Sequence, residues 1–200
     1  MQNQLVPEIK KSNEWMNCFS DLLTGVIVPD APKMKIAVAL LHLCNEHHQG
    51  IDLLVSNGVN GSAFALFRSQ FEAYIRAIWL YHCSQEQQFS DFMADKQIPP
   101  IKTLIENIEQ LNDYKSKTLS STHEKLYKSM CSFAHGGVTQ VNARLRNGQI
   151  DESYLPEQII DLIRTSAILS FMAGAGIAQL VGNQELANKL SAKFSEIYDA

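Results

Sequence analysis

Glycine and proline are scarce, 10 and 6 among 200 residues. That argues against a turn-rich all-β sandwich. The four cysteines, at 18, 44, 83 and 131, form no CxxC pair. A zinc knuckle or dithiol redox motif is therefore not expected. Each sits among apolar neighbours, as a small buried hydrophobe does, so reduced structural thiols are expected. Positive charge is not in excess: the net charge is -4. No global field draws in nucleic acid, which leaves only a local basic patch to do so. There is no P-loop, no GxGxxG and no GxSxG. The opening MQNQLVPEIKK lacks an apolar leader core, and the expected location is cytoplasmic.

What is present is apolar content of 46% against 19% charge, which excludes disorder and low complexity. A chain of this length can bury a sizeable core without a disulfide or metal. One domain over 1–200 is expected.

Helical periodicity dominates. The spacing predicts a first helix over 7–23 with Trp15, Phe19, Leu22 and Leu23 on one side. Gly25 and Pro29 break it. Asp30 can cap a second helix with Pro32 in its first turn, ending at Asn57-Gly58. A third runs over 62–83. Ser84-x-x-Gln87 reads as a capping box opening a short fourth helix, and Pro99-Pro100 ends that region. A fifth segment covers 101–111. The polar stretch 112–120 reads as a loop, and Ser121-x-x-Glu124 as a cap for a helix to Phe133. Residues 138–153 are the least helical, with Asn147-Gly148 as a turn signal compatible with a short hairpin. Pro156 opens a helix to Val181, and Asn183 opens a last one to Tyr198. Residues 165–184, most of them in the helix that Pro156 opens, carry no charge. Their length is marginal for a membrane span, and their serines and glycines favour a buried helix. The expected fold is all-α, a single bundle of six to eight helices.

The third helix is apolar nearly all round, as a central helix must be. One narrow stripe differs: Arg68, Glu72, Arg76 and Trp79, the first three spaced i, i+4, i+8. Arg suits a fixed, partly desolvated contact better than Lys. The stripe reads either as a buried ladder that ties helices together or as a polar pocket wall. In the second reading Glu72 satisfies one arginine and leaves the other seeking an anion.

A second constellation, CSFAHGGVTQVNARLR over 131–146, holds His135, Gln140, Asn142, Arg144 and Arg146 around Gly136-Gly137. Its positive charge in an acidic chain favours an anionic or phosphate-bearing partner. The alternative is that His135 caps the preceding helix and Arg144 pairs with a carboxylate. His42 and Glu46 stand four apart, a spacing that can hold a metal, but no third ligand is fixed and HExxH is absent. No metal and no cofactor are assigned. His48 is placed toward the third helix and joins the candidate ligand-binding set.

Together, Arg68-x-x-x-Glu72-x-x-x-Arg76-x-x-Trp79 and His135-Gly-Gly-x-x-Gln140-x-x-x-Arg144 resemble the motifs of a family of bacterial all-helical proteins of unknown function. That family is in turn similar to the HEPN superfamily, helical bundles that include metal-independent RNases of toxin–antitoxin and phage-defence systems. The superfamily's signature is Arg, four to six residues, then His, usually at a dimer interface. Arg76 and His82 match that spacing, yet on one helix they point about 120° apart. His135 is therefore the better histidine for a nuclease centre, with Arg68, Arg76 or Arg144 as its cation.

Three functions follow as expectations. One is a bundle whose Arg/Glu/His pocket binds an anionic or nucleotide-like ligand through Arg68, Glu72, Arg76, Trp79, Gln140, Arg144 and His48. A second is a HEPN-like RNase with His135 as catalytic acid or base. A third is a structural domain in which both motifs only lock helices. The expected partners are an anionic small molecule or RNA, with no membrane partner. The small-residue run at 173–178 adds the expectation of a homodimer.

Overall fold

The computed structural model describes residues 2–146 and 148–199, the side chains of residues 2–4 and of Arg146 excepted. Asn147 of the predicted turn and the Arg146 side chain lie outside the described residues. The described chain is an all-α bundle with a single two-stranded hairpin. Nine α-helices appear among the described residues, one more than the upper expectation, because residues 138–142 form a single short turn of helix.

Helix α1 spans Gln2–Leu23 and starts five residues earlier than predicted. Pro7 stands inside it as the sixth residue and removes one helix bond without ending the helix. Helix α2 spans Pro32–Ser56 with Pro at its first position. Asp30 does not cap it. The N-cap is Ala31, and Asp30 pairs with Lys35 instead. Helix α3 spans Asn60–His82. Helix α4, Glu86–Met93, opens one residue later than predicted, with the Gln88 side chain accepting from the Gln85 amide.

Helix α5 covers Ile101–Ile108 and α6 Thr118–Ala134. The predicted cap at Ser121 is overturned, because α6 begins four residues earlier, after Lys117 in the left-handed region (φ 55°). Its first turn is held from outside: Glu109 accepts from both the amide and the hydroxyl of Ser120. Helix α7 is Val138–Asn142, followed by antiparallel strands β1 (Leu145–Arg146) and β2 (Gln149–Ile150). Helix α8 runs Pro156–Leu180, and α9 runs Gln184–Tyr198, with the Asn183 side chain accepting from the Leu186 amide.

Helix α3 is the hub, packed by α2, α5, α6 and α8. Its Phe71, Ile75, Trp79 and Leu80 are fully enclosed, beside Leu41 and Ile51 of α2 and Ile163 of α8. This is the burial its all-round apolar character requires. Helix α8 is long and apolar enough to cross a membrane by length and composition. Here it lies against α1, α2, α3 and α9. Its glycines serve this packing. A side chain at Gly174 would meet Phe19 and Leu190, and one at Gly176 would meet Leu41. The small-residue run from which a dimer was expected is thus spent on contacts inside the chain. The four cysteines are unpaired, and burial pushes the Cys44 thiol up to about 12. Among the described residues no three His, Cys, Asp or Glu side chains gather as a metal site would need.

Candidate functional site

The stripe on α3 is built as a fork. Glu72 is buried, and each of its carboxylate oxygens takes one arginine: Oε1 accepts from Arg68 Nε at 2.8 Å and Oε2 from Arg76 Nη2 at 2.6 Å. Both guanidiniums are therefore paired to the same carboxylate, which corrects the expectation that one is left over. The fork still carries an excess of positive charge, two cations against one anion. Tyr127 of α6 completes it, donating to Glu72 Oε1 at 3.2 Å while its ring lies 5.4 Å from the Arg68 guanidinium. Burial works against the charge on Arg68, but the bond and charge of Glu72 outweigh it and raise its pKa. Burial first, then the Glu72 charge, pushes the Tyr127 hydroxyl up.

The two motifs meet here. Helix α6 packs on α3, and its C-cap residue is His135. The His135 Nε2 touches Arg68 Nη1. A guanidinium has only donors, so the tautomer this contact requires has the lone pair on Nε2 and the proton on Nδ1. His135 is exposed, and no protein group among the described residues takes its Nδ1–H. The turn after it depends on two glycines. Gly136 has φ +64°, and a side chain on Gly137 would press to 2.9 Å from the Ser132 backbone. Ser132 Oγ in turn accepts from the Thr139 amide, fixing the start of α7.

Arg76 has the most open cation of the fork, its side chain 35% exposed. Its one hydrogen bond among the described residues runs to Glu72, leaving its other N–H groups for solvent or an anion. Trp79, the last member of the stripe, is fully enclosed and donates to Asn107 Oδ1 of α5 at 3.1 Å. It ties α3 to α5.

The rest of the second motif lies further along α3. Gln140 reaches the Gly61 carbonyl at 3.5 Å. Arg144 pairs with Glu152 at 2.6 Å, whose other oxygen accepts from Asn60. A side chain at Gly61 would come within 2.3 Å of Arg144 Nη2, so the glycine is what admits the guanidinium. Gln140 and Arg144 thus sit at the first turn of α3, not at the fork.

His48 is elsewhere again. It is fully buried, with Ser12 and Ser166 on its two ring nitrogens and Ser166 donating to Gln70. Burial pushes its pKa down to about 3. It is a neutral link between α1, α2, α8 and α3. Arg76 and His82 do not form a pair: Arg76 turns to Glu72, while the His82 ring stands against Tyr81.

Sequence reasoning missed Tyr127. The signal was present, since Tyr127, Cys131 and His135 follow each other at i, i+4, i+8, the same spacing as Arg68, Glu72 and Arg76. Two such stripes on packed helices face each other.

On another face of α3 and α6, toward α8, lies a cleft of about 290 Å³, with Phe64, Phe67, Met130, Phe133 and Leu162 in its walls and Asp161 among its lining residues. Residues 41–200 match the model of DUF6988, described as a family of unknown function, and the chain belongs to that family. No curated protein and no solved structure matches the chain.

Proposed function

We propose that the protein binds a phosphate-bearing ligand at the edge formed by Arg68, Arg76 and His135. The contact between Arg68 and His135 carries this reading. It fixes the imidazole so that Nδ1–H is the free edge. An exposed donor therefore stands beside a fork of net positive charge, an arrangement suited to an anion. Glu72 and Tyr127 hold the guanidiniums and need not touch the ligand. Gln140, Arg144, Trp79 and His48 support the helices that carry the site.

Titration calorimetry with ribose 5-phosphate tests this. Saturable binding is expected, weakened about tenfold, or about 1.4 kcal/mol, in each of Arg76→Ala and His135→Ala. Equal affinity in both folded variants would contradict it.

The exposure of an imidazole next to a guanidinium favours a second reading, a metal-independent RNase of the kind the HEPN resemblance implies. In it His135 turns off Arg68 and takes the 2′-hydroxyl proton. The 2′-oxygen attacks phosphorus to close a 2′,3′-cyclic phosphate, and the bond to the 5′-oxygen breaks as that oxygen takes a proton from water, while Arg68 or Arg76 holds the phosphorane charge. RNA cleavage in the presence of a chelator, lost in His135→Ala, is the result this reading expects. An uncut RNA leaves the binding function.

A further inference from the structure

We infer that the protein holds a sodium ion between α1, α2 and α9, on oxygens of Glu8, Asp52 and Tyr198. This site is separate from the Arg68 edge and does not rest on the phosphate reading.

Glu8 and Asp52 are only 4% and 3% exposed. A buried carboxylate is costly unless its oxygens find partners. Each acid has one oxygen so matched. Glu8 Oε2 accepts from Arg164 Nη2 at 2.9 Å, and Asp52 Oδ2 from Asn13 Nδ2 at 3.1 Å. Glu8 Oε1, Asp52 Oδ1 and the Tyr198 hydroxyl are enclosed and have no hydrogen-bond partner among the described residues.

The three oxygens are neighbours. Helix α1 packs on both α2 and α9. Ser12 stands one turn after Glu8 on the same face of α1. Ser12 and Asn13 are the side chains that meet Asp52 from α1. The Tyr198 hydroxyl senses both acids. Burial first, then the charges of Glu8 and Asp52, pushes it up, while Arg164 works the other way.

Donors are one short here. A carboxylate only accepts, and Tyr198 has a single proton to give. One acceptor stays unmet whichever way the hydroxyl turns. Positive charge is also one short. Glu8 is paired with Arg164. Asp52 makes no ion pair among the described residues and is met by the neutral Ser12 and Asn13. Lys11 stands over the Tyr198 ring, its Nζ 6.0 Å from the centroid, and is not among the groups that act on Asp52. His48, bonded to Ser12 from the other side, is neutral.

One added positive charge therefore balances the site, and a second would be in excess. That selects a monovalent cation. It agrees with the absence, among the described residues, of the three-fold Asp, Glu, His or Cys group that a divalent ion would need. An all-oxygen set suits a hard ion. The enclosure leaves no place for a hydration shell, which favours Na⁺ over the larger K⁺. A cleft of about 360 Å³ lined by Glu8, Arg164, Phe194 and Tyr198 gives the ion a path from solvent. Once bound, the ion ties three helices through one point. A proton on Asp52 neutralises the same charge, so sodium and proton compete.

Thermal melts at constant ionic strength, with NaCl replacing choline chloride, test this. The wild-type midpoint is expected to rise saturably with Na⁺ at about pH 8, as one-site mass action requires, and less at about pH 5, where a proton holds Asp52. KCl is expected to raise it less. Asp52→Asn needs no counter-ion and is expected to melt at the same temperature in both salts. Tyr198→Phe keeps every charge and is expected to weaken the apparent Na⁺ affinity about tenfold. Broadening of the ²³Na resonance by wild type, absent with Asp52→Asn, reads the ion directly. Equal wild-type midpoints in NaCl and choline chloride at about pH 8 overturn the site in favour of a proton on Asp52. An undiminished Na⁺ response in folded Asp52→Asn overturns the set of oxygens. Should that variant fail to fold, an undiminished response in Tyr198→Phe does the same. A response to MgCl₂ but not to NaCl overturns the charge argument.

Discussion

Arg68 and His135 touch across 67 residues of sequence, joining the middle of one helix to the end of another. Neither side chain reaches this position by itself. Arg68 is held by Glu72 and Tyr127, and His135 by the glycine turn that follows α6. The contact joins the two motifs at one point and leaves the Nδ1 face of the imidazole toward solvent.

Glu72→Gln keeps the shape of the fork and removes its charge. Both arginines then lose their counter-ion and face each other's charge across a neutral amide. Breaking a fully buried pair costs about 3–5 kcal/mol. Here both guanidiniums reach solvent, so a loss of roughly 2–3 kcal/mol is expected. Urea unfolding measures it, and a loss below about 1 kcal/mol would mean the fork is a surface feature.

Gly137→Ala tests the turn. The added carbon meets the Ser132 backbone at 2.9 Å, and backbone cannot swing aside. A cost of about 1–3 kcal/mol is expected from such overpacking, with weaker binding of ribose 5-phosphate because His135 is displaced. Gly61→Ala is the contrasting case. Its carbon meets the far ends of the Arg144 and Tyr154 side chains, away from the fork, so ribose 5-phosphate binding is expected to stay at the wild-type level. Thermal melts with calorimetry on both variants compare the two positions.

Acid sensitivity is written into His48. Its pKa is pushed down to about 3 by burial, from 6.5. The unfolded chain therefore takes up a proton that the folded chain refuses. Stability from this group is present above about pH 6.5 and is lost as pH falls toward 3, at about 1.4 kcal/mol per unit. Asp52 works in the opposite sense. Burial raises its pKa despite bonds from Ser12 and Asn13. Its contribution is present below the ordinary carboxylate range and is lost as pH rises through the raised value. Unfolding midpoints from pH 3 to 8 check both: His48→Gln should flatten the acid limb, and Asp52→Asn should gain relative stability at neutral pH. An unchanged acid limb in His48→Gln would place the acid sensitivity elsewhere.

The long elements were legible in the sequence because their signals are local. Pro32, the Asn57-Gly58 stop, Pro156 and Asn183 mark ends that chain geometry imposes wherever they occur. The apolar wrap of α3 told that it is central, and the Arg68–Glu72–Arg76 spacing told that the three share a face. The short elements were less legible because their ends are set by partners distant in sequence. Glu109, the residue after α5, caps α6, so Ser121 is not needed and the helix begins earlier. The joining of Arg68 to His135 follows from how α6 lies on α3, which no spacing within either helix encodes. Trp79 and His48 read as ligand-facing because a stripe or an antiparallel neighbour was known, whereas their inward partners Asn107 and Ser166 belong to other helices.

The most direct test of the site is the response of the His135 ring to phosphate. With 15N-labelled histidine, the ring nitrogens of all six histidines can be followed while ribose 5-phosphate is added. The account predicts a saturable shift of His135 Nδ1, absent in Arg68→Met, with the buried His48 unmoved. A His135 signal that stays in place to millimolar ligand, or that moves equally in Arg68→Met, would contradict a single site built from the two residues.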